Sequence, residues 1–178
     1  MTDNIELLKY PIGKFRHEAS DPNQISNAIE SISALPSKLG FAVAGLSDTQ
    51  LDTPYRDGGW TIRQVIHHLP DSHMNAYTRF KLAMTEINPS IRPYDEAAWA
   101  DCEDAKNGDI TDSLDLLDAL HRRWVSFLKL LSEEDFERTY FHPAHYKQSK
   151  LSEITSMYAW HGDHHLAHIT SLKKRLNW

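Results

Sequence analysis

Residues 152–176 read SEITSMYAWHGDHHLAHITSLKKRL, and the fold turns on how this stretch is arranged in space. Apolar residues recur through Ile154, Met157, Tyr158, Ile169 and Leu172, and a helix advances about 100° per residue. With Ile154 at zero, these five fall between about −60° and +60°, one face of a helix running to about Leu176. The same face holds His161, His165 and His168, at about −20°, +20° and −40°, with His164 at its edge near −80°. A buried imidazole without a partner costs about 1–3 kcal/mol, so something must satisfy these rings. A lone histidine there is ordinarily a core residue bonded to a neighbouring carbonyl. The pair His161 and His165, at i and i+4, presents both rings to one point, which is how H-x-x-x-H holds a divalent metal.

Three further amphipathic segments precede this one. Asp21-Pro22 supplies an N-cap and a first-turn proline for a helix through Ile25, Ile29, Ile32, Leu35, Leu39 and Val43. Pro36 is expected to kink or split it. LSDTQLDTPYRDGGW (46–60) reads as one helical turn and then a loop. A second helix is expected from about Thr61 to Ile87, with the stripe Ile62, Val65, Ile66, Leu69, Ala76, Tyr77 and Phe80 and a bend at Pro70. A short turn near Ala97–Trp99 and a polar surface segment, DCEDAKNGDITDS, lead to a third helix over about Asp112–Leu131. Ser132 opens a capping-box-like SEED, and RTYFHPAHYKQSK (138–150) reads as a short hairpin or an ordered loop. Residues 1–20, broken by Pro11 and Gly13, read as irregular. Four long amphipathic helices with modest connections predict an all-α four-helix bundle, one domain over residues 1–178.

Composition narrows the function classes. A net charge of −6 argues against nucleic acid or an anionic membrane as main partner. MTDNIELLKY lacks the basic and apolar regions of a signal peptide, and no apolar run approaches the roughly 18 residues that span a bilayer. One cysteine, Cys102, forms no internal disulfide, so a cytoplasmic location is expected. Cys102 also lacks the basic surroundings of a catalytic thiol, and neither a G-x-S-x-G elbow nor a glycine-rich phosphate loop is present. Trp60, Trp99, Trp124 and Trp160 read as core or interface anchors, and Lys173-Lys174-Arg175 as charge suited to a helix C-terminus.

Two histidines leave a metal under-coordinated, and GGWTIRQVIHHLPDSH (58–73) is the natural donor of a third. With Ile62 at zero, His67 lies near +140°, His68 near −120° and His73 near +20°. Counting alone leaves the choice open.

LDTPYRDGGWTIRQVIHHLPDSHMN, RFKL and IRPYDE, together with YAWHGDHHLAHI, strongly resemble the DinB/YfiT-like superfamily, and its YfiT branch in particular, over nearly the whole chain. That branch is provisionally assigned to metal-dependent hydrolases. The resemblance implies a four-helix bundle, often dimeric, holding one divalent cation, zinc first and nickel second. It implies three ligands: His68, which follows Trp60 after seven residues and precedes Leu69, and the last-helix pair His161 and His165. His168 stands where many relatives have glutamine and is not expected to ligate. Pro70 stands where a small or aliphatic residue is expected.

Three neutral imidazoles leave a cation with open positions, the arrangement of a catalytic rather than a structural site. Such a cation lowers the pKa of water towards about 7, which favours hydrolysis of a small-molecule substrate, or it holds a thiol as thiolate, which favours thiol transfer. Relatives support both chemistries, several using low-molecular-weight thiols such as bacillithiol. A non-catalytic metal- or small-molecule-binding stress protein is the third reading. His164 and His73 are candidate proton carriers. Asp71, Asp163 and Glu153 are candidate partners for the ligands' second N–H, though solvated helix-face charge explains them as well. Tyr55, Arg56 and Asp57 are candidates to line the mouth of the site.

Overall fold

The computed structural model describes residues 2–17 and 21–178. Its elements are α1 (Thr2–Lys9), α2 (Gln24–Val43), α3 (Asp48–Leu51), α4 (Ile62–Thr85), α5 (Glu96–Ala100), α6 (Glu103–Asn107), α7 (Ile110–Leu128), α8 (Glu133–Phe136), β1 (Thr139–His142), β2 (Lys147–Lys150) and α9 (Leu151–Leu176). The long helices α2, α4, α7 and α9 form a four-helix bundle. α2 and α4 each pack against α7 and α9, so they occupy opposite corners although they are successive in the chain. The connections carry small elements of their own: α3 after α2, α5 and α6 after α4, α8 and the hairpin after α7.

Local chemistry starts α4 and α8 where the sequence says, whereas α2 begins at Gln24 with Asn23 at its N-cap, so the expected Asp21-Pro22 start is corrected. Thr61 accepts from the Gln64 N–H while Gln64 Oε1 accepts from the Thr61 N–H, a reciprocal cap that opens α4. Ser132 and Asp135 close the same box on α8. The segment 138–150 is a hairpin, β1 antiparallel to β2 with Thr139 opposite Lys150 and His142 opposite Lys147. Its turn uses Tyr146 at φ 49°, left-handed backbone that a non-glycine residue adopts only in such a tight reversal.

The expectation for the N-terminal segment is corrected. Residues 1–20 are not irregular throughout: Thr2–Lys9 is helical, and residues 18–20 lie outside the described residues. Ile5 and Leu8 border a cavity with Leu172 and Leu176, an apolar surface on α9 that rewards ordering of α1. Of the two outcomes expected at Pro36, the split is absent: α2 continues as one helix, as α4 does through Pro70. In α2 the carbonyl that a proline leaves without its i+4 N–H is that of Ile32, and a side chain takes the place of the missing donor, as described below.

The core is divided in two. One apolar cluster gathers Ile32, Phe80, Trp124, Tyr140 and Tyr158, and the other Leu35, Leu69, Leu117, Ile169 and Leu172. On α4, α7 and α9 the residues between the two clusters include His73, His121, and His161, His164, His165 and His168. A layer of imidazoles therefore crosses the bundle at mid-height. Gly162 sits in that layer, where an added Cβ would lie 2.5 Å from Leu35 Cδ2, so the absence of a side chain lets α9 approach α2.

Candidate metal centre

His68 on α4 and His161 and His165 on α9 bring one ring nitrogen each within 4.8 Å of one another. His68 Nε2 and His161 Nε2 are 3.3 Å apart. Two nitrogens bound tetrahedrally at the usual zinc distance of about 2.0–2.1 Å stand roughly 3.3–3.4 Å from each other, so the spacing already fits a shared cation. His165 Nδ1 is buried without a hydrogen-bond partner among the described residues. Burial pushes His68 down to about 4 and holds His161 and His165 well below the ordinary histidine range. All three are therefore neutral at pH 7, the state a metal ligand requires. The donor set suits zinc, nickel or another borderline divalent ion, since imidazole accepts each of them.

The three rings line a cavity of about 530 Å³ with Trp60, Tyr55 and Arg56. Trp60 tilts against His68 with ring centroids 4.7 Å apart and limits how that ring can turn. Asp57 is not in this wall; it borders the neighbouring cavity with Leu172 and Arg175.

The other histidines are sorted by their partners. His67 turns away from the cluster, its Nδ1 accepting from the Ser113 hydroxyl at 2.7 Å and its Nε2–H donating to the Gly108 carbonyl at 3.3 Å. His168 donates from Nε2 to the Lys9 carbonyl at 3.1 Å and stacks on Tyr55. His164 stacks on Trp160 at 4.5 Å, and its Nδ1 is buried without a partner among the described residues.

His73 is bonded at both nitrogens, to His121 Nε2 at 2.8 Å and to His161 Nδ1 at 3.1 Å, and His121 Nδ1 lies 2.6 Å from the Ile32 carbonyl. The protons in this chain follow by elimination. A carbonyl only accepts, so His121 Nδ1 carries the proton and its Nε2 accepts. His73 Nδ1 must then donate, its Nε2 accepts, and His161 Nδ1–H donates in turn. The lone pair of His161 is left on Nε2, the atom that faces His68. Burial holds His121 at about 4 and His73 well below the usual range, so the rings stay neutral as the assignment requires. The chain begins at Pro36, whose missing N–H frees the Ile32 carbonyl.

None of the carboxylates considered from the sequence orients a ligand. Asp163 accepts from the Ser31 hydroxyl at 2.7 Å, Glu153 from Lys147 Nζ at 2.6 Å, and Asp71, pushed up to about 6 by burial, bonds to no histidine among the described residues. His73 holds that place, and His121 supports it. Sequence reasoning passed over His121, although it lies on the stripe of Leu117, Trp124 and Leu128 at helical spacing, as the α9 histidines do on theirs.

The family model described as the DinB superfamily matches residues 32–169. The chain belongs to the DinB superfamily. It is 48% identical over 172 residues to YfiT of Bacillus subtilis (strain 168), covering 96% of this chain and 97% of that protein. It is 52% identical over 172 residues to relatives from Bacillus mycoides (strain KBAB4) and Bacillus cereus (strain B4264), covering 96% of this chain and 98% of each. All three relatives are provisionally named metal-dependent hydrolases. The solved structure of Bacillus subtilis YfiT superposes with a TM-score of 0.94 at 48% identity, over 97% of this chain and 99% of that one. That structure is described as having an unusual four-helix-bundle topology. No helix among the described residues is long and apolar enough to cross a membrane.

Proposed function

We propose that this protein is a metal-dependent hydrolase of small molecules in which His68, His161 and His165 hold one divalent cation, zinc in the first place and nickel in the second. The observation that carries the reading is the convergence of three neutral imidazoles within 4.8 Å on a cavity wall. The provisional naming of its relatives as metal-dependent hydrolases supports it. A cation held by three imidazoles keeps positions open, and there it supplies Lewis acidity and acidified water.

The chain's own residues supply the rest. His73 and His121 hold the His161 ring and direct its Nε2 lone pair into the site. Trp60 and Tyr55 restrict water around it. His164, on the same wall, is the candidate proton carrier beside the substrate. His73, with both nitrogens committed, positions a ligand and does not face the substrate.

Elemental analysis of wild type beside His68→Ala and His161→Ala tests the ligand set. About one metal per chain in wild type and a large loss in both variants is expected, whereas equal metal in all three refutes it. Metal-dependent conjugation of bacillithiol to monochlorobimane, without hydrolysis of any ester or amide panel, would replace hydrolysis by thiol transfer. A homodimer in the cytoplasm completes the proposal, and sedimentation of the metal-loaded protein checks the dimer.

A further inference from the structure

α4 carries two buried arginines in contrasting surroundings. Arg63, 6% exposed, donates to Asp52 at 2.7 Å, to Asp48 at 2.8 Å and to the Gly108 carbonyl at 2.9 Å. Arg79, 8% exposed, has no carboxylate within ion-pair distance among the described residues. Its Nη1 lies 3.5 Å from the Tyr158 hydroxyl, and the Tyr140 hydroxyl and the His142 ring are further polar neighbours. A guanidinium does not give up its proton, and a buried charge without a counter-charge is costly. Arg63 shows how this helix satisfies an arginine that serves packing. Arg79 is satisfied in no such way.

Arg79 faces a second cavity of about 550 Å³, whose wall includes Ser72, Tyr94, Tyr158 and His161. His161 and Glu96 border this cavity and the metal cavity alike, so the two spaces meet at a metal ligand. The other charges of the wall are accounted for. Glu153 accepts from Lys147 Nζ at 2.6 Å, Asp95 accepts from the Ala98 N–H that opens α5, and Glu96 is exposed at the rim. What remains on the described wall is one cation fringed by hydroxyls, with the His142 ring beside it, its Nδ1 buried without a partner among the described residues.

We propose that Arg79, with the Tyr158 and Tyr140 hydroxyls, is a carboxylate-binding subsite, and that the substrate carries a carboxylate on the arm that leads away from the bond presented to the metal. A single guanidinium whose lysine neighbour is already neutralised matches a monoanion rather than a doubly charged phosphate. The subsite rests on the metal reading above, and the test separates the two. Zinc-loaded protein is titrated with short-chain hydroxamates that end in a carboxylate and with their methyl esters. The hydroxamate group reports an open metal position and the far end reports Arg79. The acids are expected to bind about 10- to 100-fold tighter than the esters, the range of a charge-assisted hydrogen bond in a buried site. Arg79→Gln should bring acid and ester to near equality at unchanged zinc content, and Arg79→Lys should keep part of the preference. Equal binding of acid and ester by wild type overturns the subsite and leaves the metal reading standing, whether or not the variants fold. Binding of neither compound by zinc-loaded wild type overturns both.

Discussion

Replacing His121 by phenylalanine tests the histidine chain at its far end, remote from the cation. The substitution keeps a ring in the core but removes the donor to the Ile32 carbonyl at 2.6 Å and the acceptor for His73 Nδ1–H at 2.8 Å. Each stranded buried group costs about 1–3 kcal/mol, and the added apolar ring returns part of this, so a loss of about 2–4 kcal/mol in stability is expected. The diagnostic effect is on the metal. Without the His121 acceptor, His73 is free to carry its proton on Nε2 and donate it to His161 Nδ1. His161 must then protonate Nε2, the atom that faces His68. Zinc affinity should fall by about 10- to 100-fold, the usual consequence of losing an outer partner of a metal-bound histidine. Competition with a chromophoric chelator at pH 7.5 measures this loss, and long-range nitrogen–proton NMR of the metal-free protein reads the tautomers. Wild-type His161 should carry its proton on Nδ1. His121→Gln, whose amide keeps a donor and an acceptor, should recover part of the affinity. A His121→Phe protein that is destabilised yet binds zinc as wild type does would refute the reasoning, as would a wild-type His161 protonated on Nε2.

Other outcomes follow from the same geometry. Burial holds His68, His121 and His164 at about 4 against about 6.5 in the unfolded chain. The unfolded chain therefore takes up protons first as pH falls, and this contribution to stability is complete above about pH 6.5 and lost towards pH 4. The urea midpoint of the metal-free protein should fall between pH 7 and pH 5, and a flat profile contradicts the burial argument. Gly162→Ala pushes a methyl against Leu35 Cδ2 and should cost about 1–3 kcal/mol, with recovery in a Leu35→Val background, both read from urea unfolding. If the smaller residue gives no recovery, the clash is not the cause. Removing metal with a chelator should lower the melting temperature of wild type and leave that of His161→Ala unchanged, since only a native site gains from mass action. Thr61→Ala should cost about 1 kcal/mol by removing the cap of α4, measured by the same unfolding assay.

The comparison of sequence with structure divides along physical lines. Period alone fixed the four long helices, because each must bury one face and the apolar residues that do so recur at helical spacing. The same counting put His161 and His165 on the core face of α9, and the resemblance to a known superfamily selected His68 where counting left His67, His68 and His73 open. The structure turns His67 towards Ser113 and brings His68 beside His161, a choice that depends on which neighbour α4 meets on each side. Whether 138–150 would be a hairpin or a loop was also open, since four-residue strands carry too little pattern to decide.

What sequence by itself determined is therefore each helix's inward face and the residue types it offers there. Tertiary structure alone decided which inward faces meet. Ile32, His121, His73 and His161 come from four different helices, and no spacing within one chain segment encodes a hydrogen bond between segments 89 or 88 residues apart. The same is true of the solitude of Arg79. A sequence shows an arginine on a helix, and only the packed bundle shows that no carboxylate among the described residues comes to meet it, because the position of a potential partner is set by the contacts of a different element.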